Sequence, residues 1–425
     1  MGGRNQPPRV LLSTDIVPFL LHEDTDVREH ALEYLAKGHD SAPATADDIW
    51  TTMDRYGDTP AHYGLNERAI FAAELIHFHP TPRSTQRLFN ALRTGARSNV
   101  GMHLHRAARE LPPTDARALL MDKAIRAQLP AAMIAEIEAD LMLAEMSFDA
   151  LWTSLSGAAV ELGDAWQLDS PVYRRALRLV RAIARSPEQA AAHGLESLGG
   201  GLARAPVEAN MELLALELFG RIPYPGPLEP LLRLLGEEGD YVNECVSDAL
   251  VRVGSPDVIA AVASGLPGTE PFLTYAPGVI ARIRRPESEA ALLRLLEAEP
   301  DLHYCTWLAT YLLELCTTSA EALGLIEQMV EAGEYDPMLV DLDELLVTAG
   351  KMVGWSPRDP GAWEARPKLM RPRMDLQAVL QRMTERIASP APARLRPKLR
   401  GFVPFGKKAQ QKKAKERRLR GSGNH

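Results

Sequence analysis

The sequence predicts an all-α fold in which antiparallel helical hairpins stack into an α-solenoid. One observation is a proline-centred motif that occurs four times, as AIARSPEQA, LFGRIPYPG, VRVGSPDVI and ARIRRPESE, at intervals of 36, 33 and 30 residues. A second is the helical spacing of the apolar residues before most of these motifs. A third is that no stretch of any length alternates as a β-strand does. A period near 30 to 36 residues is typical of helical repeats that pack on their neighbours.

The segment DYVNECVSDALVRVG shows the helical period most clearly. Its apolar residues, from Val242 to Val253, form one continuous stripe that a neighbouring element must cover. Gly254 then predicts the end of that helix, Ser255 the N-cap of the next and Pro256 its first turn. Such a short turn makes adjacent helices pack antiparallel.

The same criteria predict further helices on both sides of this segment. In the N-terminal part, DTDVREHALEYLAKG carries an apolar stripe after Asp24 and Asp26, which can cap a helix. In the second half we predict helices over 205–219, 227–236, 255–264, 270–284, 286–297, 301–316, 319–331 and 337–353.

The spacing and composition divide the chain into four segments. Residues 1–165 are an irregular helical half, and 166–353 are regular repeats. Residues 354–393 form a Pro- and Trp-rich cap plus a final helix, and 394–425 an extended, flexible basic tail.

The segments IVPFLLHEDTDVREHALEYL and PLEPLLRLLGEEGDYVNECVSDALVRVGSPDVI resemble HEAT-type repeats. Both have a first helix with a proline near its start, a polar acidic turn and a helix similar to VxxxAxxAL. The sequence departs from the pattern at Cys245 and Val246, where alanine is usual, and the 281–289 unit has arginine in place of the turn glycine. The resemblance covers 205–335 well and 8–38 less well. It implies an α-solenoid that binds partners along a curved face, with enzymes such as phycobilin lyases in a minority.

Composition favours a cytoplasmic protein without membrane insertion. The 425 residues are 46% hydrophobic and 24% charged, which is ordinary for a globular chain. No apolar run is long enough to span a bilayer. The three cysteines, Cys245, Cys305 and Cys316, are too few and too scattered for a disulfide framework. They are typical of small buried residues in a reducing compartment.

Charge is concentrated at the C-terminus. From Arg394 onward there are twelve Lys or Arg and one acid, so the tail carries +11 and the remaining body −19 of the overall −8. Such a tail can bind phosphate backbones, fold against its own acidic body or contact an anionic membrane surface. The candidate binding residues are Phe402, Phe405, Lys407, Lys408, Lys412, Lys413, Lys415, Arg417, Arg418 and Arg420. The two phenylalanines can stack on bases, dock in a partner or pack on the last repeat.

Five of the eleven histidines lie between residues 62 and 105. They are His62, His77 and His79 of IHFHP, and His103 and His105 of MHLHR. Neighbouring hairpins can bring such pairs together around a metal. On a helix, however, residues i and i+2 point in different directions, so we expect no metal site. No phosphate-binding loop, dinucleotide motif, nucleophile elbow or HExxH motif is present, and we expect no cofactor.

These features predict a non-catalytic, protein-binding scaffold whose acidic body engages a basic partner. One alternative is an accessory protein of nucleic acid or the ribosome, anchored by the basic tail. A third interpretation is an enzyme of the repeat class, such as a lyase.

Overall fold

The structure is a computed structural model that describes residues 9–38, 46–61, 65–94, 99–163, 170–198, 206–236, 239–265, 270–337, 339–359 and 363. Across these residues the regular elements are α-helices and short 3-10 helices. Two isolated bridges pair Val10 with Thr317 and Pro60 with Asn66. The predicted all-α class is therefore confirmed.

Contacts divide the chain into two compact units. Unit 1 joins Met1–Ala144 to Pro227–Gln377, and unit 2 comprises Glu145–Gly226 and Ala378–His425. Unit 1 therefore combines stretches that are distant in sequence. The sequence-based boundaries at 165, 353 and 393 mark changes in repeat regularity and stay a prediction.

The first stretch of unit 1 is a series of short helices. Asp24 caps one of them by accepting hydrogen bonds from the backbone N–H groups of Asp26 and Val27, as its position predicts. The helices are α1 (Ser13–Ile16), α2 (Thr25–Lys37), α3 (Ala46–Tyr56), α4 (Glu67–Glu74), α5 (Pro82–Arg93), α6 (Asn99–Arg109), α7 (Pro113–Met121), α8 (Lys123–Gln128) and α9 (Ala131–Glu145).

Unit 2 contains four described helices, α10 (Phe148–Leu162), α11 (Pro171–Ile183), α12 (Pro187–Ser197) and α13 (Pro206–Phe219). Helix α13 packs against the other three. Buried Asn210 ties α13 to α10, because its side-chain amide donates to the carbonyl oxygens of Ala159 and Gly163, each at 3.0 Å.

The second stretch of unit 1 alternates two sets of helices. The helices are α14 (Glu229–Leu235), α15 (Asp240–Val253), α16 (Pro256–Ser264), α17 (Glu270–Arg282), α18 (Pro286–Ala298), α19 (Leu302–Glu314), α20 (Ala320–Ala332) and α21 (Leu342–Val353). Helix α15 packs on α17, α17 on α19 and α19 on α21. Each of α16, α18 and α20 packs on the helix that follows it.

The turn between α15 and α16 has the predicted chemistry. Gly254 ends α15 with a left-handed backbone, φ 58°, which glycine adopts at little cost. The Ser255 side chain accepts a hydrogen bond from the backbone N–H of Val258, and Pro256 begins the next helix.

The N-terminal residues of unit 1 pack against the helices of its second stretch. Helix α2 packs on α21, and its buried face shares one hydrophobic cluster with Cys316 and Met352. The backbone N–H of Leu11 donates to the carbonyl of Cys316 at 3.2 Å. After α21, Trp363 is buried at 9% exposure, and the cap over 354–393 stays a prediction.

Candidate functional site

Helix α19 carries aromatic side chains on one face. His303, Trp307 and Tyr311 are spaced four residues apart, which places them above one another on a helix. The rings of Trp307 and Tyr311 are stacked with centroids 6.0 Å apart, and those of His303 and Trp307 lie 6.5 Å apart edge to face. Leu308 and Leu312, each one position after an aromatic residue of this face, are buried and hold the helix in the core.

Helix α17 packs beside this aromatic face and has a glycine where the Tyr311 ring approaches it. A Cβ atom at Gly278 would be 3.2 Å from the hydroxyl oxygen of Tyr311, closer than ordinary van der Waals contact. The absence of a side chain there lets the Tyr311 ring lie against α17. Tyr275, one turn before Gly278, is also partly exposed.

Carboxylates flank the aromatic rings on both sides. Asp240, Glu244 and Asp248 are spaced four residues apart on α15, and the Tyr275 hydroxyl donates to Asp240 at 3.0 Å. On the other side, the Nδ1 atom of His303 lies 3.4 Å from the Asp336 carboxylate. We call the surface formed by Asp240, Glu244, Asp248, Tyr275, Gly278, Arg282, His303, Trp307, Tyr311, Glu314 and Asp336 the aromatic–acidic surface.

Both tyrosines keep their protons at neutral pH. Burial, the hydrogen bond to Asp240 and the charge of Glu244 raise the pKa of Tyr275 to about 12. Burial and the nearby Glu314 carboxylate raise the pKa of Tyr311 to about 12. Their hydroxyls therefore remain hydrogen-bond donors and their rings remain neutral faces that attract cations.

Ion pairs lie at one edge of the aromatic–acidic surface, near the C-terminal ends of its helices. Arg282 of α17 pairs with Asp248 at 2.6 Å. Lys37 of α2 lies 2.6 Å from Glu33 and 3.8 Å from Glu314. Burial acts to lower the pKa of Lys37, but the carboxylates of Glu314 and Glu33 outweigh it and raise that pKa.

The structure describes four of the five clustered histidines, His77, His79, His103 and His105. His62 lies outside the described residues, and His77 and His79 are exposed on either side of buried Phe78. His103 and His105 flank buried Leu104 on α6, and burial lowers the pKa of both, with Arg106 and Arg109 adding to the effect. Among the described residues, no group of three or more His, Cys, Asp or Glu is arranged to hold a metal ion.

Of the cysteines, Cys245 and Cys316 are buried as expected, whereas Cys305 is only partly buried. The sulfur of Cys316 lies 3.6 Å from Nε2 of buried His30. Burial raises the pKa of Cys316 to about 12, so the group is a thiol rather than a nucleophilic thiolate.

The binding residues predicted in the tail lie outside the described residues. They are Phe402, Phe405, Lys407, Lys408, Lys412, Lys413, Lys415, Arg417, Arg418 and Arg420. The aromatic–acidic surface was not predicted from the sequence, because its residues come from separate helices. The four-residue spacing of His303, Trp307 and Tyr311 was the available signal.

Comparison with models of known protein families gives no match, and neither does comparison with curated proteins. No helix among the described residues is long and apolar enough to cross a membrane.

Proposed function

We propose that this chain is a non-catalytic, protein-binding scaffold of HEAT-like repeats, acting in the cytoplasm, whose aromatic–acidic surface engages a Lys- and Arg-rich segment of a partner. The observation that carries the proposal is the run of half-buried rings between two sets of carboxylates on neighbouring helices. The contacts from α15 through α17 and α19 to α21 are those expected of stacked antiparallel hairpins.

The chemistry of the surface suits cationic side chains on an extended backbone. Ammonium and guanidinium groups pair with carboxylates and also lie favourably over Trp and Tyr rings. Packed helices are about 8–10 Å apart, and an extended chain rises about 3.3 Å per residue, so three residues span each helix. A segment of about nine to twelve residues therefore crosses α15, α17 and α19.

The test is binding of a fluorescein-labelled, Lys- and Arg-rich peptide of this length, measured by anisotropy at two salt concentrations. We expect binding that weakens with salt, and none to a peptide with glutamine at the basic positions. Replacing Asp240→Asn and Glu244→Gln together should weaken binding about fivefold to tenfold, and Trp307→Ala by about threefold or more.

A matched control separates this surface from the overall charge. Asp257→Asn with Glu287→Gln removes the same two charges from exposed first-turn positions of α16 and α18. The control pair should bind the peptide nearly as the wild type does. Equal loss in both double variants would mean that the peptide responds to net charge alone, and the proposal would fail.

The basic tail favours a second function, contact with nucleic acid or the ribosome. Its charge of +11 over residues 394–425 is the supporting observation. Full-length chain and a chain ending at Pro392 can be compared for binding to a labelled RNA. Salt-sensitive binding by the full-length chain alone would support this function, and equal binding by both chains would contradict it.

A further inference from the structure

Lys37 lies where the aromatic–acidic surface meets the N-terminal helix. It is the last residue of α2, and its ammonium group contacts Glu33 on its own helix and Glu314 at the end of α19. The Lys37 side chain is 45% exposed and that of Glu314 is 27% exposed. The ion pair therefore lies at the edge of the aromatic–acidic surface. Its ammonium group, on Lys37, is more exposed than its carboxylate, on Glu314.

Glu314 continues the aromatic–acidic surface by one helical turn. It follows Tyr311 by three residues on α19, and Tyr311 in turn lies against Gly278 of α17. Asp240, Tyr275, Tyr311 and Glu314 thus lie in this order on the neighbouring helices α15, α17 and α19. A basic segment that follows this order reaches the Glu314 carboxylate last.

The space around Glu314 already accommodates an ammonium group. A small cleft of about 20 Å³ is lined by His30, Glu33, Tyr34, Lys37, Ala281, Arg282, Arg284 and Glu314. Its two arginines have partners elsewhere: Arg282 pairs with Asp248, and Arg284 donates to Ser13 at 2.8 Å and to the carbonyl of Tyr34. Within the cleft Lys37 forms the ion pair with Glu314, and the charge of Arg282 also acts on that carboxylate. The ammonium group of a partner lysine can therefore take the place of the Lys37 ammonium group.

We propose that Glu314 is an occluded subsite of the aromatic–acidic surface, filled by Lys37 in the free protein and by a basic residue of the partner in the complex. This inference rests on the proposed function. Lys37 then acts as an internal competitor, and its displacement limits the affinity for segments that reach Glu314. The competition is reciprocal, because Lys37 at Glu314 weakens partner binding there and the bound partner weakens the Lys37–Glu314 contact.

The experiment is a double-mutant cycle on full-length protein, read out as peptide affinity. Lys37→Met should strengthen binding of the basic peptide about threefold to fivefold, because it removes the competitor. Lys123→Met, at an exposed lysine on α8, removes the same charge away from the surface and should change affinity less than twofold. In a Glu314→Gln background the gain from Lys37→Met should disappear.

The double-mutant cycle is measured with two peptides. One is long enough to reach Glu314, and the other lacks the last basic residue. The gain from Lys37→Met is expected for the longer peptide and not for the shorter one. A gain of equal size in both backgrounds, or one matched by Lys123→Met, overturns the inference. The proposed function fails separately, if the wild type does not bind or if Asp240→Asn with Glu244→Gln has no effect. Thermal unfolding of each variant shows that it is folded.

Discussion

At the scale of single residues, the most demanding contact is the ion pair of Arg28 and Glu67, whose side chains are each 1% exposed. Arg28 donates to both carboxylate oxygens of Glu67 and to the carbonyls of His22 and Glu23, and its guanidinium lies 3.9 Å from the centre of the Tyr56 ring. The cost of burying this ion pair is offset because nearly every N–H group of the Arg28 guanidinium donates a hydrogen bond.

Removing one partner of this pair should cost far more than removing both. We expect Glu67→Met or Arg28→Met to lower the free energy of unfolding by about 3–5 kcal/mol, since each leaves an uncompensated buried group. The double replacement Arg28→Met with Glu67→Met should cost less than the two single changes combined. Urea unfolding of the three variants measures this, and strictly additive losses would contradict it.

The buried His30 makes stability depend on pH in a definite direction. Burial lowers its pKa from 6.5 in the folded protein, only partly opposed by the Glu33 carboxylate. The unfolded chain therefore binds the His30 proton more tightly than the folded protein does. The contribution of neutral His30 to the free energy of unfolding is fully present above pH 6.5, and it is lost as the pH falls through 6.5 toward the folded-state pKa. We expect the wild type to lose more unfolding free energy than His30→Gln between pH 7.5 and 5.5 in urea titrations. Parallel pH profiles would exclude His30 as the cause.

At the scale of helices, two glycines of unit 2 should respond oppositely to the same substitution. A Cβ at Gly157 of α10 meets nothing within 4 Å, whereas one at Gly194 of α12 would lie 2.8 Å from the ring of fully buried Phe219. Gly157→Ala should therefore stabilise by up to about 1 kcal/mol through helix propensity. Gly194→Ala should destabilise by about 1–2 kcal/mol, because crowding exceeds that gain. Thermal unfolding of the two variants gives the signs, and a shared sign would show that the crowding is relieved.

Local sequence signals were sufficient for most helix boundaries in the second stretch of unit 1. The predicted 255–264 and 286–297 correspond to Pro256–Ser264 and Pro286–Ala298, because a Ser or Pro start acts within one turn. The last helix begins at Leu342 rather than 337, and Asp341 is its N-cap residue. The aromatic–acidic surface was not predicted, because it needs residues from three helices and depends on their packing.

At the scale of the molecule, helical periodicity could not predict which distant segments meet. Residues 9–38 contact the second stretch of unit 1 through Arg284, which stacks on Tyr34 at 3.6 Å, and through the ion pair of Lys351 with Asp24. Such contacts join positions hundreds of residues apart, and the local repeat pattern of the sequence contains no signal for them. Unit 1 likewise combines Met1–Ala144 with Pro227–Gln377.

This long-range closure predicts that unit 1 cannot fold without its N-terminal helices. The buried side chains of Ile16, Leu20, Val27, Leu32 and Leu35 contribute about 1.5–3 kcal/mol each, or on the order of ten together, which is similar to the whole stability of an ordinary domain. A chain that begins at residue 39 should therefore lose the cooperative thermal unfolding of unit 1. It should also expose the Cys316 thiol, which is 1% exposed in the intact protein, to labelling reagents. Adding a peptide of residues 9–38 should restore both properties. An unchanged unfolding midpoint in the shortened chain would show instead that the helices of the second stretch stabilise one another without this closure.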